Sequence, residues 1–565
     1  MRDLCPGNRQ KLMSPVPILR IPPFPGARAA DLCVPGKALP ITSEEIEALI
    51  ATMARSRVGG TFWAAQPALP VSPYILLRVR DERLRRELIK ALPAGTSVCS
   101  WNTRDRPSHG LAEQAVTRVS GACDPWHLFD GAVRVVVDAD DELALLAAIA
   151  GVPLTCVGTG RFATLDGVAA PAVLAGSFKS QLVEGWSFAD PHTGDVMGIA
   201  DALAHCEFWR ALIDSNRDIA AAAGFAFWKR PTVEPLLWSG RRLHFLTRPS
   251  PVTKRQRVAV WRSRCSPRLL ADLERQGAEL VEVEDGFIRS AGLGADCVPP
   301  LSIVVDRIGV HFDPTRSSEL EQILEHESFS NDMLERARRL RGIIVAAGVG
   351  KYGVVGYTRL DRRVDGRRHI LVPGQVEDDR SVLSGGGSVR SNVELLKRVR
   401  LDAPEAYVLY KPHPDVEAGH RVGAIPDEVC LKFANEIVRD EPISALIAMV
   451  DEVQVNTSLA GFEALLRGKA VTAHGVPFYA GWGLTRDLGP VSPRRTARRT
   501  LDELVSAVLL CYPRYLDPET GLPCPPEILI RRLSAMTDRR QQGLVIQLRK
   551  IQGRYNRYLD RLRGD

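Results

Sequence analysis

No run in this chain is apolar for long enough to cross a bilayer; the longest, around Leu143 to Gly158, is too short and is broken by Gly151 and Pro153. Met1 to Arg20 do not show the basic-then-apolar pattern of a secretory leader. Both absences point to a cytoplasmic protein without transmembrane spans. The 11 cysteines are scattered from Cys5 to Cys524 and never form C-x-x-C, which argues against a disulfide framework and a zinc site alike; reduced, mostly buried thiols are expected. Histidines are dispersed and the acids have no ligand-like partners at helical spacing, so no metal site is expected. The run Gly385 to Gly387 fits neither G-x-G-x-x-G nor a P-loop, and reads as a mobile loop.

What is present is globular composition: 45% hydrophobic and 25% charged residues over 565, enough for several domains with cores of their own. The formal charge of +7 is unevenly placed. Ten Arg/Lys against three Asp fall within 528–565, so the rest of the chain is nearly neutral. In that tail Leu544, Leu548, Ile551, Tyr555, Tyr558 and Leu562 recur in steps of four and three with arginines between them, the pattern of a basic amphipathic helix. Such a helix would either lie on an anionic membrane surface or pack on the body of the protein. Its charge is the sole feature that would suit nucleic acid, and no nucleic-acid partner is expected. At the other end, residues 1–45 hold eight of the 39 prolines and read as extended and loosely held.

From Leu371 onward short β-branched runs alternate with helical patterns: HILVPGQ, NVELLKRVR, AYVLYKPHP, SALIAMV, EVQV, LAGFEALLRG and AVTAHG. This alternation predicts a parallel sheet flanked by helices. Arg257 to Val310 repeats it on a smaller scale, with RVAVWRS, PRLLADLERQG and AELVEVEDG, and the helical LERARRLRGIIVAAG follows at 334. Two doubly wound lobes leave a cleft, and ligands in such sheets bind beyond the carboxyl ends of the strands. The chain also repeats itself. The segment starting at Asp440 aligns without gaps on the one starting at Cys123, with Pro442 on Pro125, Gly468 on Gly151 and Gly475 on Gly158, each at an offset of 317. DPETG at Asp517 matches DPHTG at Asp190 at an offset of 327, so the chain carries one module and part of another.

Residues that follow strands are therefore the candidates for chemistry. Asn456, Thr457 and Ser458 end EVQV and start a helix that stops at Gly468. They either cap that helix or offer hydroxyls to a phosphate. The upstream copy has Asp140 and Asp141 in place of Thr457 and Ser458, which would repel an anion. After AYVLY, Lys411-Pro412-His413-Pro414 puts an ammonium and an imidazole at a strand end, directed by two prolines. HILVPGQ leads into Gln375 and an acidic cluster containing Asp378 and Asp379, and LVEVEDG ends on Glu284 and Asp285 in the other lobe. Either acid run could be a solvated loop. Facing each other across a cleft, they would suit sugar transfer, one acting at the anomeric carbon and the other taking the acceptor proton.

VEDGFIRSAGLG at 283, HFDPTR at 311, VPGQVEDDRSV at 372, YKPHPDV at 410 and NTSLAGFEALLRGKAVTAHGVPFYAGWGLT at 456 together resemble the capsule polysaccharide biosynthesis and export family, which includes the β-Kdo glycosyltransferases. The match runs from about Leu237 to Ala535. DPWHLFD at 124, DPHTGD at 190 and FAFWKRPTVEPLLW at 225 resemble the junction of the family's two-module form. The resemblance implies a GT-B fold with two Rossmann-like, doubly wound lobes, preceded here by a partial, degenerate module. It implies CMP-Kdo as donor, no metal and no cofactor, retention of the β configuration, and a lipid-linked saccharide acceptor. A partner transferase, the capsule export machinery and the inner face of the cytoplasmic membrane are its implied neighbours. Residue by residue, it makes Asp379 or Asp378 the nucleophile with Gln375 beside it, and Glu284 or Asp285 the base. Lys411 and His413 would bind the cytidylate, Thr457 and Ser458 its phosphate, and Glu463 and Arg289 are further substrate contacts. The corresponding divisions are 1–45 extended, 46–235 degenerate module, 236–368 acceptor lobe, 369–527 CMP-sugar lobe and 528–565 basic helix. A transferase for another cytidylate-linked acid such as sialic acid, and a non-catalytic scaffold coupling synthesis to export, are the competing readings.

Overall fold

The computed structural model describes residues 17–28, 31–37, 39–102, 116–248, 255–290, 298–350, 353–354, 366–417, 419 and 421–538. They form two units, one of residues 17–24, 31–217 and 238–242, the other of 25–28, 218–237 and 243–538. The first unit is built on five strands: β1 (Tyr74–Arg78), β2 (Val98–Asn102), β3 (Val116–Ser120), β4 (Ala132–Asp138) and β5 (Leu154–Val157). All pair in parallel, in the order β3-β2-β1-β4-β5. The helix after β4, α1 (Leu143–Ile149), is apolar throughout and its leucines are buried, as a helix covering a parallel sheet requires. The described part of the proline-rich start is extended but not loose. Ile18, Leu19 and Leu32 are buried, and Cys33–Pro35 pairs antiparallel with Trp186–Ala189. Prolines set its extended path, while the apolar residues between them anchor it.

The second unit holds two sheets. In the first lobe β6 (Ile219–Ala223), β7 (Phe245–Leu246), β8 (Arg257–Val260) and β9 (Glu279–Asp285) are parallel, and β10 (Ser302–Asp306) runs antiparallel to β9. In the second lobe β11 (His369–Pro373), β12 (Tyr407–Lys411), β13 (Glu436–Ile437), β14 (Glu452–Val455), β15 (Ala470–Ala473) and β16 (Arg486–Asp487) form a parallel sheet ordered β13-β12-β11-β14-β15-β16. The chain then returns. β17 (Pro513–Leu516) and β18 (Pro523–Cys524) complete the first-lobe sheet beside β10. Thus β6 lies upstream of the boundary placed at 236, and 513–524 belong with the first lobe. Strands of two to five residues carry too little periodicity to reveal such a crossing. A single hydrophobic cluster runs from Phe287 and Leu340 through Phe462 and Trp482 to Leu529, fixing one lobe against the other.

Strand register independently supports the repeat. Leu77 faces Val136 on one side and Ser100 on the other, as Leu371 faces Val453 and Leu409. Val136 and Val453 are separated by the same 317 found in the sequence. The upstream unit therefore repeats the second lobe, with Asn102 at the place of Lys411 and Asp141 at that of Ser458. Asp141 is buried there, ion-paired to Arg78 at 2.9 Å and accepting from the Leu143 N–H at the start of α1. The expected basic helix through 544–562 lies outside the described residues. Among the described residues no helix is long and apolar enough to cross a membrane.

Candidate active site

The carboxyl ends of β11, β12 and β14 bring the second-lobe candidates together. Gly374 follows β11 where a Cβ would lie 2.6 Å from the Tyr410 hydroxyl and 3.3 Å from the His413 nitrogen, so glycine lets the two strand ends close up. Gln375 then clamps Thr457 from both sides. Its Nε2 donates to the threonine Oγ1 at 2.9 Å and its Oε1 accepts the Thr457 N–H at 3.0 Å. With α2 spanning Arg380–Gly385 and α3 Ala460–Leu466, Ser458 Oγ accepts from the Ala460 N–H at 3.2 Å as the chain enters α3. Each hydroxyl thus serves as an acceptor in the fold and keeps a proton to donate. Lys411 ends β12 and donates from Nζ to the Arg439 carbonyl at 2.7 Å. Burial lowers its affinity for a proton, against the opposing pull of Glu417, Glu441 and Asp440. His413 accepts the Asp415 N–H at Nδ1, 3.1 Å away, so the proton of its neutral ring sits on Nε2.

The two acids after Gln375 have different surroundings. Asp378 has an exposed side chain ion-paired to Arg421 at 2.9 Å. Asp379 caps α2, its Oδ1 accepting from Ser381 N–H and Oγ–H at 2.9 and 2.8 Å, while Oδ2 has no partner among the described residues. The next residue, Arg380, reaches the other lobe: its Nη1 lies 3.1 Å from Glu284 Oε1 and its Nη2 3.2 Å from Glu282 Oε2. Arg380 thus ties the segment that carries Asp379 to Glu284 of the other lobe.

Successive residues of a strand face opposite sides, so Glu282 and Glu284 share a face of β9 and Asp285 takes the other. Asp285 is held by Lys229 at 3.3 Å and by Arg289 at 3.0 Å. Glu284 is half-buried with Arg380 as its ion-pair partner, and desolvation raises its carboxyl to about 7 despite that cation. Lys229 is itself buried, 3.2 Å from the Trp261 ring centroid, and desolvation brings it down to about 8 against the pull of Asp285. Arg289 is 1% exposed and also donates to Ser290 Oγ and the Val298 carbonyl. Glu463 is buried on α3.

Lys229, Arg380 and Glu282 were not singled out from the sequence. For Lys229 a signal existed, a lysine among aromatics just past a strand in FAFWKR; for Arg380 it was adjacency to Asp379. The expectation of a mobile loop at Gly385 to Gly387 is corrected. Gly385 ends α2, and Gly385 and Gly386 are buried. A Cβ on Gly386 would stand 2.5 Å from the Val382 carbonyl, so these glycines serve close packing.

Residues 256–352 and 357–515 match the family described as "Capsule polysaccharide biosynthesis protein". The capsule polysaccharide modification protein LipA of Neisseria meningitidis serogroup B is 36% identical over 339 residues, 59% of this chain and 48% of that protein. The lipopolysaccharide-processing protein LpsZ of Rhizobium meliloti is 44% identical over 245 residues, covering 43% and 56%. The chain spans about half the length of the curated relatives it matches. Among solved structures, the Thermosulfurimonas dismutans KpsC β-Kdo 2,7 transferase is 35% identical, with 57% of this chain and 100% of that chain covered and a TM-score of 0.46. The β-Kdo 2,4 transferase of the same KpsC is 29% identical, covering 56% and 98%, with a TM-score of 0.47.

Proposed function

Because residues 256–352 and 357–515 match the family described as "Capsule polysaccharide biosynthesis protein", we propose that the chain is a glycosyltransferase of capsule assembly. Its donor would be CMP-Kdo, Kdo being an eight-carbon acidic sugar, and its acceptor a lipid-linked saccharide. The observation that carries this reading is that Arg380, the residue after Asp379, reaches Glu284 in the other lobe. In the first step Asp379 Oδ2 attacks the anomeric carbon, and the bond from that carbon to the cytidylate phosphate breaks, its electron pair leaving with CMP. CMP departs as a phosphate monoester anion that needs little protonation. The Lys411 ammonium, the His413 Nε2–H and the Thr457 and Ser458 hydroxyls would suffice to stabilise it. In the second step the acceptor hydroxyl gives its proton to Glu284 while its oxygen displaces Asp379, and two inversions retain the β configuration. Gln375 would orient Thr457, and Lys229 with Arg289 would orient Asp285. Glu463 and Arg289, the further substrate contacts that the resemblance implies, are both buried. The upstream unit, with Asp140-Asp141 where the hydroxyl pair should be, is assigned packing or partner holding rather than turnover.

The test is to incubate purified protein with CMP-Kdo, measure CMP release, and map any trapped sugar adduct by peptide mass. An adduct on the peptide containing Asp379 supports the scheme. Intact CMP-Kdo after prolonged incubation with acceptor would favour the scaffold reading, and an adduct on another peptide would overturn the assignment of the nucleophile.

A further inference from the structure

Three guanidinium groups converge on Glu282, which is buried on β9. Arg262 lies 3.0 Å from its Oε1, Arg316 contacts the same oxygen, and Arg380 approaches Oε2 at 3.2 Å. Glu284 shares Arg380, at 3.1 Å, and its other cationic neighbour, Lys229, is committed to Asp285. Three arginines thus serve two carboxylates, with Asp313 adding a distant contact to Arg316 at 3.9 Å. The three are not equivalent. Arg262 and Arg316 come from the first lobe and would satisfy Glu282 without help. Arg380 comes from the second lobe and is peptide-bonded to Asp379. It meets each glutamate through a single nitrogen, its Nε–H has no protein partner among the described residues, and its guanidinium lies over the Phe312 ring at 5.0 Å. It is therefore the cation that could change partners at least cost, and it moves with the residue proposed to attack the sugar.

We propose that Arg380 is the specificity-determining residue for the acidic sugar: it trades Glu284 for the carboxylate of the donor sugar, fixes that carboxylate beside Asp379, and leaves Glu284 unpaired to act as base. This deepens the proposed function and rests on it. An arginine fork matches a carboxylate with two parallel hydrogen bonds, and a neutral sugar could not displace Glu284 from it. Donor binding would then expose the base only when the right donor is present, because the charge that quiets Glu284 is withdrawn by the substrate itself. Glu282 keeps Arg262 and Arg316 throughout, so Glu284 is the one carboxylate that the exchange leaves without its arginine.

The experiment compares three probes by calorimetry on the full chain: CMP, CMP-Kdo, and CMP-Kdo with its sugar carboxylate converted to the primary amide. The wild type is expected to bind CMP-Kdo about 10- to 100-fold more tightly than the amide. Arg380→Ala should bind CMP as the wild type does but bind acid and amide alike, and Arg380→Lys should recover part of the preference. If Arg380→Ala still prefers the acid by the wild-type factor, or if the wild type does not distinguish acid from amide, the proposal is overturned. Failure of the wild type to bind either CMP or CMP-Kdo would instead overturn the function on which it rests. Unchanged CMP affinity in Arg380→Ala shows that the second lobe is intact, and Arg380→Lys keeps the question answerable should the alanine variant not fold.

Discussion

Replacing Glu284 by Gln should impair the proposed transfer and stabilise the fold at once. Burial raises the Glu284 carboxyl from 4.5 to about 7, so holding it ionised above neutrality costs about 3 kcal/mol. Between those two values the unfolded chain has released the proton and the folded chain keeps it, and native stability therefore declines as pH rises through the window. Glutamine does not titrate. The variant should gain about 1–3 kcal/mol at pH 8, seen as a melting temperature about 2–6 °C higher, and gain nothing at pH 4.5. The same group acting as base should give wild-type kcat/KM an acid limb near pH 7, and its loss should lower transfer by about 100- to 10,000-fold. Paired melts at pH 4.5 and 8, with product formation from CMP-Kdo followed across pH, read both effects. Transfer within about 10-fold of wild type, or a melt at pH 8 that falls in the variant, would refute the assignment.

Four further outcomes follow from the same geometry. Asp379→Asn keeps the cap on α2, since asparagine caps as well as aspartate, so the melt should move by less than about 0.5 kcal/mol while transfer and adduct vanish; residual turnover would mean a second working site. Lys229→Met removes a cation that lowers the Glu284 carboxyl, so the acid limb should move to higher pH, and an unmoved limb would dissociate the two residues. His413→Ala should weaken CMP binding by about 10-fold with the melt unchanged, checked by calorimetry. Asp141→Ala strips the upstream unit of the Arg78 pair and of a bond at the start of α1, and should cost about 2–4 kcal/mol in that unit's denaturant transition, with CMP affinity unaltered.

The alternation of β-branched runs and helical patterns, the repeat at 317, and the clustering of candidates just past strands were all legible in the residues, because each depends on neighbours a few positions apart. HILVPGQ, AYVLY, EVQV and LVEVEDG form the strands read from them. What the sequence left open was which acid of each pair differs, and how. Asp378 and Asp379 are identical side chains one residue apart; one is exposed against Arg421, the other caps a helix with a carboxylate oxygen to spare. Glu284 and Asp285 part because strand geometry turns them to opposite faces, one toward Arg380 and the other toward Lys229. Those cations come from segments far away in the chain, and the burial that retunes Glu284 exists only once both lobes have packed. Local pattern could therefore name the candidates, while charge pairing and desolvation, being properties of the assembled interior, decided how the members of each pair differ.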